Sequence, residues 1–539
     1  MEVKDLSHSM ETGFLKDYMV GAPTVQSFFH YAMNDKQQFE RRLADLNERS
    51  YEREKLCAYL TAFHKRLECP EKALANIHKL RNKEAVVVVG GQQAGLLTGP
   101  MYTFYKALTT IILAKEQEER LGVPVIPVFW IAGEDHDLDE IRFVFQQKKE
   151  RWKKVLLDSD QEQKSASETI LNQQQLSNWL DGIFAELPET EYTKELTAVV
   201  NHYAEGSKTY VDFFAKLMSW LFQDYGLVLL DSHAPEIRQI EAGFFAELVQ
   251  KVDELQIAQQ NGAEEFARAG FGYPIETEKE NAHLFLDYEG KRCRLDYVNG
   301  LFYVRDHGQS YTKEQLLNKI QETPQAFSNN VVTRPLMQEV LLPVLAFVSG
   351  PGEIKYWATL RRSFELFDLK MPPVMPRLTV TVVPKMTEKW LKEQSYSVEA
   401  FVNGEGAKLR EQWLDNCEEV PISEMVANVK AAIEKEHAPL RQLAGQIDYT
   451  IGKLADKNLD ILNREIEFVE KRMRNHLMKK HSYVLSKFDE TNLWLYPLNR
   501  PQERVIHPII LLNLVGRAGL CRLIELNMTV DGKHKLVFL

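Results

Sequence analysis

The chain has 539 residues, more than one ordinary hydrophobic core serves, so two or three domains or large insertions are expected. Hydrophobic residues at 44% and charged ones at 27% are the values of a folded chain and argue against extensive disorder. A net charge of -11, from 66 basic and 77 acidic residues, counts against a protein that lives on nucleic acid.

At the N-terminus, Met1 to Leu6 lacks the apolar run and cleavage site of a secretion signal. The longest apolar runs, Leu341 to Val348 and Pro508 to Val515, are too short to cross a bilayer, so a soluble protein without a membrane partner is expected. Cys57, Cys69, Cys293, Cys417 and Cys521 form no CxxC pair, which suggests neither a disulfide framework nor a zinc cluster and fits a reducing cytoplasm. From Ser27 to about Lys83 the apolar spacing predicts two or three helices covering a sheet. Ala85 to Val89 is a continuous apolar block of the kind buried on both faces of a parallel sheet, ended by Gly90-Gly91. A glycine-rich loop, Gln92 to Pro100, leads into a helix in which Tyr105, Leu108, Ile112 and Lys115 keep helical spacing, with Thr98 as a cap and Pro100 in the first turn. A second strand, Val125 to Ala132, closes a βαβ unit and delivers Gly133-Glu134-Asp135-His136-Asp137 at its carboxyl end, the edge where open α/β sheets bind ligands.

Asp158 to Gln223 reads as mostly helical, and Gly226 to Leu230 as a third parallel strand with Asp231 and His233 at its end. Between His283 and Asp306, short alternating strands joined by Glu289-Gly290 and Asn299-Gly300 predict antiparallel hairpins. Leu341 to Val348 reads as a core strand, followed by the small-residue turn Ser349 to Glu353 and a helix from Ile354; Val374 to Val383 is the last candidate strand. Beyond Met425, Leu440, Leu443, Ile447, Ile451, Leu454, Leu462, Ile466, Val469, Met473 and Leu477 recur mostly three or four apart, which predicts one long helix from about Pro439 to Leu485. Such a helix pairs with another, either on its own chain or, more economically, across a homodimer. The expected division is 1–157 (helices and first half of the core), 158–330 (helical and β insertion with a core strand near 227–231), 331–424 (second half of the core) and 425–539 (coiled coil and tail).

Strand, glycine turn and helix, then an acidic turn with histidine, is the layout of a Rossmann-like α/β core resembling class I aminoacyl-tRNA synthetases. Thr98 to Tyr102 takes the place of their HIGH signature without its histidines, and Lys385-Met386-Thr387-Glu388-Lys389 faintly echoes KMSKS but reads better as surface helix. Three segments, Gly91 to Pro100, Phe129 to Asp137 and Ser349 to Trp357, together resemble the bacillithiol-biosynthesis cysteine-adding family, BshC, and the resemblance spans the chain.

That resemblance implies a C–N ligase joining the carboxylate of L-cysteine to the amine of glucosaminyl-malate. A carboxylate is a poor acyl donor, so such a ligase would spend ATP on an adenylate or acyl phosphate. In that scheme Gln92, Gln93, Gly95, Thr98, Gly99 and Tyr102, with Gly350 and Glu353 across the sheet, hold the adenine nucleotide or substrate. Asp135 or Asp137 would bind an ammonium, and His136 would accept the amine proton or orient a neighbouring loop. Arg500 and Arg504 either bind phosphate or pair with surplus carboxylates. Magnesium would arrive with the nucleotide; no zinc and no resident metal are expected, since no cluster of thiolate and imidazole ligands is visible. The competing readings are another amino-acid-activating or nucleotidyl-transferring enzyme of the synthetase type, and a non-catalytic coiled-coil dimer.

Overall fold

The protein is described by a computed structural model covering residues 1–6, 13–68, 70–149, 151–158, 164–276, 278–417, 422–526 and 528–539, so Cys69 lies outside the described residues. In chain order the strands are β1 (Glu2–Asp5), β2 (Val86–Gln92), β3 (Val125–Ile131), β4 (Phe143–Lys148), β5 (Arg151–Leu156), β6 (Val228–Asp231), β7 (Asn281–Tyr288), β8 (Lys291–Val298), β9 (Leu301–Val304), β10 (Ser310–Thr312), β11 (Phe327–Asn329), β12 (Val344–Ser349), β13 (Val374–Pro376), β14 (Thr379–Val383) and β15 (His534–Phe538). Two units emerge, residues 1–382 with 502–539, and residues 383–501.

The first unit is built on a parallel sheet of order β13-β12-β2-β3-β6. Val86 to Val89 are buried on both faces, as the unbroken apolar run requires. Full burial of each such side chain contributes about 1.5–3 kcal/mol over leaving it in water. One face packs Val86, Val88, Leu345 and Val348 against Phe39, Leu46 and Leu113. The helix Met101–Leu121 connects β2 to β3 and ends at Gly122, whose φ of 68° is the left-handed stop that glycine adopts without strain. Strand order reverses between β2 and β12, and the carboxyl ends of these strands are the ligand position of doubly wound sheets.

An antiparallel sheet of order β10-β9-β8-β7-β11 is inserted between β6 and β12. Its two hairpins turn at Glu289-Gly290 and Asn299-Gly300, all four residues at positive φ, as the turn chemistry predicts.

Several expectations are corrected. Thr98 does not cap the helix: it lies at φ 70° in a short turn, and Pro100 occupies the cap position with no side-chain bond. Leu341 ends the helix Thr333–Leu341, and the strand begins only at Val344. Val374 to Val383 is two strands: β13 joins the parallel sheet, whereas β14 joins β15 and β1 in a separate sheet that ties the chain ends together. The β4–β5 hairpin was not anticipated.

The second unit is helical. Instead of one helix from Pro439 to Leu485 there are three, Ile422–Ile447, Tyr449–Lys480 and Ser482–Leu495. The break falls at Asp448, whose backbone is extended (φ -163°, ψ 146°) and whose carboxylate accepts the Thr450 N–H at 2.7 Å, an N-cap in mid-pattern. The first two helices fold back on each other antiparallel, with Lys430 on Glu467 at 2.8 Å, His437 on Asn458 at 3.1 Å and Arg441 on Asp456 at 3.7 Å. Pro439 sits within the first of them. Lys385 to Lys389 opens the helix Lys385–Glu393, with Met386 exposed, as the surface-helix reading has it. No helix among the described residues is long and apolar enough to cross a membrane.

Candidate active site

The glycines that end β2 serve the chain's own packing. A Cβ on Gly91 would stand 2.8 Å from the Trp130 carbonyl oxygen on β3, and one on Gly95 would stand 2.9 Å from the Gly99 Cα. The first donor of the following helix, Met101 N–H, is taken by the Ile506 carbonyl at 2.8 Å. What remains at this loop is the Thr98 hydroxyl, buried without a partner, and Tyr102, which faces Arg377 (5.8 Å from ring centre to guanidinium). Burial raises the Tyr102 phenol against the pull of Arg504 and Arg377. Arg504 is exposed, whereas Arg500 belongs to the second unit, so the two arginines fall in different units.

Across the switch point a lysine that the sequence did not single out joins the two strand ends. Lys106, buried in the helix Met101–Leu121, donates to the Gly91 carbonyl at 2.8 Å, Gln92 Oε1 at 3.2 Å and Glu353 Oε2 at 2.5 Å. Its three protons therefore have three acceptors. Glu353 also accepts the Gly350 N–H at 2.7 Å, which fixes the turn after β12. Burial lowers the Lys106 pKa and Glu353 opposes the shift. Beside it, the buried pair Arg377–Glu503 (2.7 and 2.5 Å) and the bond from Arg377 N–H to the Ser349 carbonyl at 2.8 Å hold the C-terminal segment against β12.

The acidic turn after β3 divides its side chains. Glu134 points inward and is buried against Ser232 and Arg238. Asp135 accepts from Gln93 Nε2 at 2.6 Å and from the Asp137 N–H at 3.2 Å, and Gln93 also donates to Glu140 at 2.7 Å. Asp137 is exposed. Gly133 is required here, because a Cβ would collide with Asp231 and Ser167, which themselves bond at 2.9 and 3.0 Å. His136 Nδ1 stands 3.0 Å from an Arg292 guanidinium nitrogen, and burial and then that cation lower its pKa. A guanidinium only donates, so Nδ1 is the acceptor and the neutral ring carries its proton on Nε2. Arg292 itself lies 3.8 Å over the Phe285 ring.

These residues line a cleft of about 660 Å³ whose walls are the turn after β3, the inserted sheet, and the start of the helix Thr333–Leu341. Asp135, His136 and Asp137 are thus brought together, while Gln92, Gly350 and Glu353 gather at the switch point, joined to them through Gln93. Arg292, Asn329 and Arg334 also line the cleft and were missed, because only the fold brings the insertion to β3. Lys106 did carry a signal, a lone cation in the apolar stretch Met101 to Ala114. Among the described residues no group of three or more histidines, cysteines and carboxylates could hold a metal.

Comparison with known proteins decides the family. The profile described as "Bacillithiol biosynthesis BshC, N-terminal Rossmann-like domain" matches residues 1–378, and that described as "Bacillithiol biosynthesis BshC, C-terminal coiled-coil domain" matches residues 380–539. The chain belongs to the BshC family. It is 47% identical to a protein of Shouchella clausii over 98% of both chains, 45% identical to one of Halalkalibacterium halodurans and 40% identical to one of Bacillus cereus strain B4264, the latter two over 100% of both. All three carry the name "Putative cysteine ligase BshC". Membership makes this chain a ligase of bacillithiol biosynthesis, and the BshC division into a Rossmann-like part and a coiled coil matches the parallel sheet and the helical hairpin described above.

Proposed function

We propose that this protein joins the carboxylate of L-cysteine to the amine of glucosaminyl-malate in the cytoplasm, with ATP activating the carboxylate. The observation that carries the reading is the cleft at the end of β3, where an exposed carboxylate, a neutral imidazole and arginines face one space. ATP converts the cysteine carboxylate to an adenylate or acyl phosphate, releasing pyrophosphate or ADP. The substrate amine then attacks the carbonyl carbon, the C–N bond forms, AMP or phosphate leaves, and the amine gives up a proton.

Each residue has a part in that step. Asp137, exposed in the cleft, binds the ammonium and takes the proton that frees the amine to attack, and the second proton, released as the amide forms, passes to solvent. His136, its Nδ1 engaged by Arg292, offers Nε2–H to the oxygen on which charge develops. Asp135, held by Gln93, positions the turn. The donor exposed to nucleotide phosphate is Arg504, since Met101 N–H and Lys106 are occupied and the Thr98 hydroxyl is buried; magnesium would come with the nucleotide. The second unit serves as the dimer contact, because its hairpin leaves Leu440, Leu443, Ile447 and Leu454 more than half exposed.

Isotope transfer tests the activation step. With cysteine labelled in its carboxylate oxygens, one label appears in AMP for an adenylate or in phosphate for an acyl phosphate; label in neither product removes ATP activation from the account.

A further inference from the structure

The cleft holds two guanidinium groups with no carboxylate at ion-pairing distance among the described residues. Arg292 donates to Ser328 Oγ at 3.0 Å, the Asn329 carbonyl at 2.7 Å and His136 Nδ1 at 3.0 Å, all neutral. Arg334 donates to Gln338 Oε1 at 3.0 Å and lies within 5.2 and 5.9 Å of the Phe347 and Trp357 rings. The fully buried arginines of the first unit, among the described residues, are neutralised: Arg42 by Glu339, Arg238 by Glu241, Arg377 by Glu503. A chain with more acids than bases, which pairs its fully buried arginines elsewhere and leaves two in one cleft without a carboxylate among the described residues, has a use for their charge.

A third group points the same way. Asn329 is buried, lines the cleft, and neither atom of its side-chain amide has a hydrogen-bond partner among the described residues. An unpaired buried amide is costly unless something completes it. The wall around it is rigid: Asn330 Nδ2 lies 3.1 Å from His283 Nδ1, and His283 stands at φ 59° where the β7–β8 register shifts.

We infer that Arg292 and Arg334, with the Asn329 amide, form a subsite for the carboxylates of the amine-bearing substrate, so that the cleft selects an amine attached to an acidic group. This rests on the proposed function. The turn after β3 supplies Asp137, which holds the amine, the inserted sheet and the helix Thr333–Leu341 supply the cations that hold the dicarboxylate, and the substrate spans the two. Arg292 also steers His136, so Arg334 gives the cleaner test.

Arg334→Gln is expected to raise KM for glucosaminyl-malate about 10- to 100-fold, the range for losing a charged hydrogen-bonded contact, with KM for cysteine changed less than about twofold. Arg334→Lys recovers part of the loss, since charge returns without the fork. With methyl glucosaminide, which has the amine but no carboxylate, the ratio of wild type to Arg334→Gln collapses, as a double-mutant cycle requires. An unchanged KM for glucosaminyl-malate, or an equal loss on both amines, overturns the subsite. If the wild type forms no amide at all, the proposed function fails, and calorimetric titration with L-malate then judges the subsite alone: binding lost in Arg334→Gln supports it, while binding kept in the variant or absent from the wild type overturns it.

Discussion

Asp137 and His136 are neighbours in the chain yet hold different chemistry, one an exposed carboxylate and the other a ring fixed by Arg292. Asp137→Asn keeps the shape and removes the proton acceptor, so turnover should fall about 10²- to 10⁴-fold while the melting midpoint stays put; steady-state rates and calorimetry check both halves. Glu503→Gln should do the reverse. It leaves the buried Arg377 charge unmatched, which costs about 3–5 kcal/mol, read as a lower denaturant midpoint. At this scale the sequence was legible in position: Asp135, His136 and Asp137 stand at a strand's carboxyl end, as the apolar run before them requires, and line one cleft. It was not legible where partners are far apart in the chain. Arg292 meets His136 across 156 positions and Lys106 meets Glu353 across 247, and no spacing rule reaches that far. The glycine loop has a packing role that its sequence did not reveal: glycine permits close approach by any group, and at Gly91 and Gly95 that group is the chain itself.

Among the elements, the hairpins of the inserted sheet were readable from two-residue turns, since Asn-Gly adopts positive φ and fixes register. The sheet made by β1, β15 and β14 was not, because β1 and β15, which pair in it, lie at opposite ends of the chain. The long helical pattern was right in kind and wrong in continuity: Asp448 caps a new helix in mid-repeat, and the repeat then serves two helices folded on each other. Part of the apolar stripe stays uncovered after that pairing, with Leu443 at 55% and Leu454 at 62% exposure. A second copy of the hairpin is the proposed cover. Leu443→Glu with Leu454→Glu is therefore expected to halve the mass measured by light scattering without loss of helix; a double variant whose mass equals that of the wild type would remove the dimer contact from this face.

For the whole first unit, pH is a stability variable. Burial holds His30, His64 and His534 down to about 4 and His283 and His507 to about 3. All lie below the ordinary 6.5, so the unfolded chain binds more protons in between. The stability they contribute is full above pH 6.5 and is lost as pH falls towards 4, so the melting midpoint should drop steadily over that window with more than one proton taken up on unfolding. A midpoint that rises on acidification would contradict the buried neutral state. The same unit places its chemistry as the strand order dictates, with the reversal between β2 and β12 beside the acidic turn and the insertion closing the cleft above. Whether that cleft makes an amide from cysteine is decided most directly by mass spectrometry of purified protein incubated with cysteine and glucosaminyl-malate, with and without ATP and magnesium. The account predicts bacillithiol only when ATP is present, and none from Asp137→Asn; product formed equally without ATP, or no product under either condition, would contradict it.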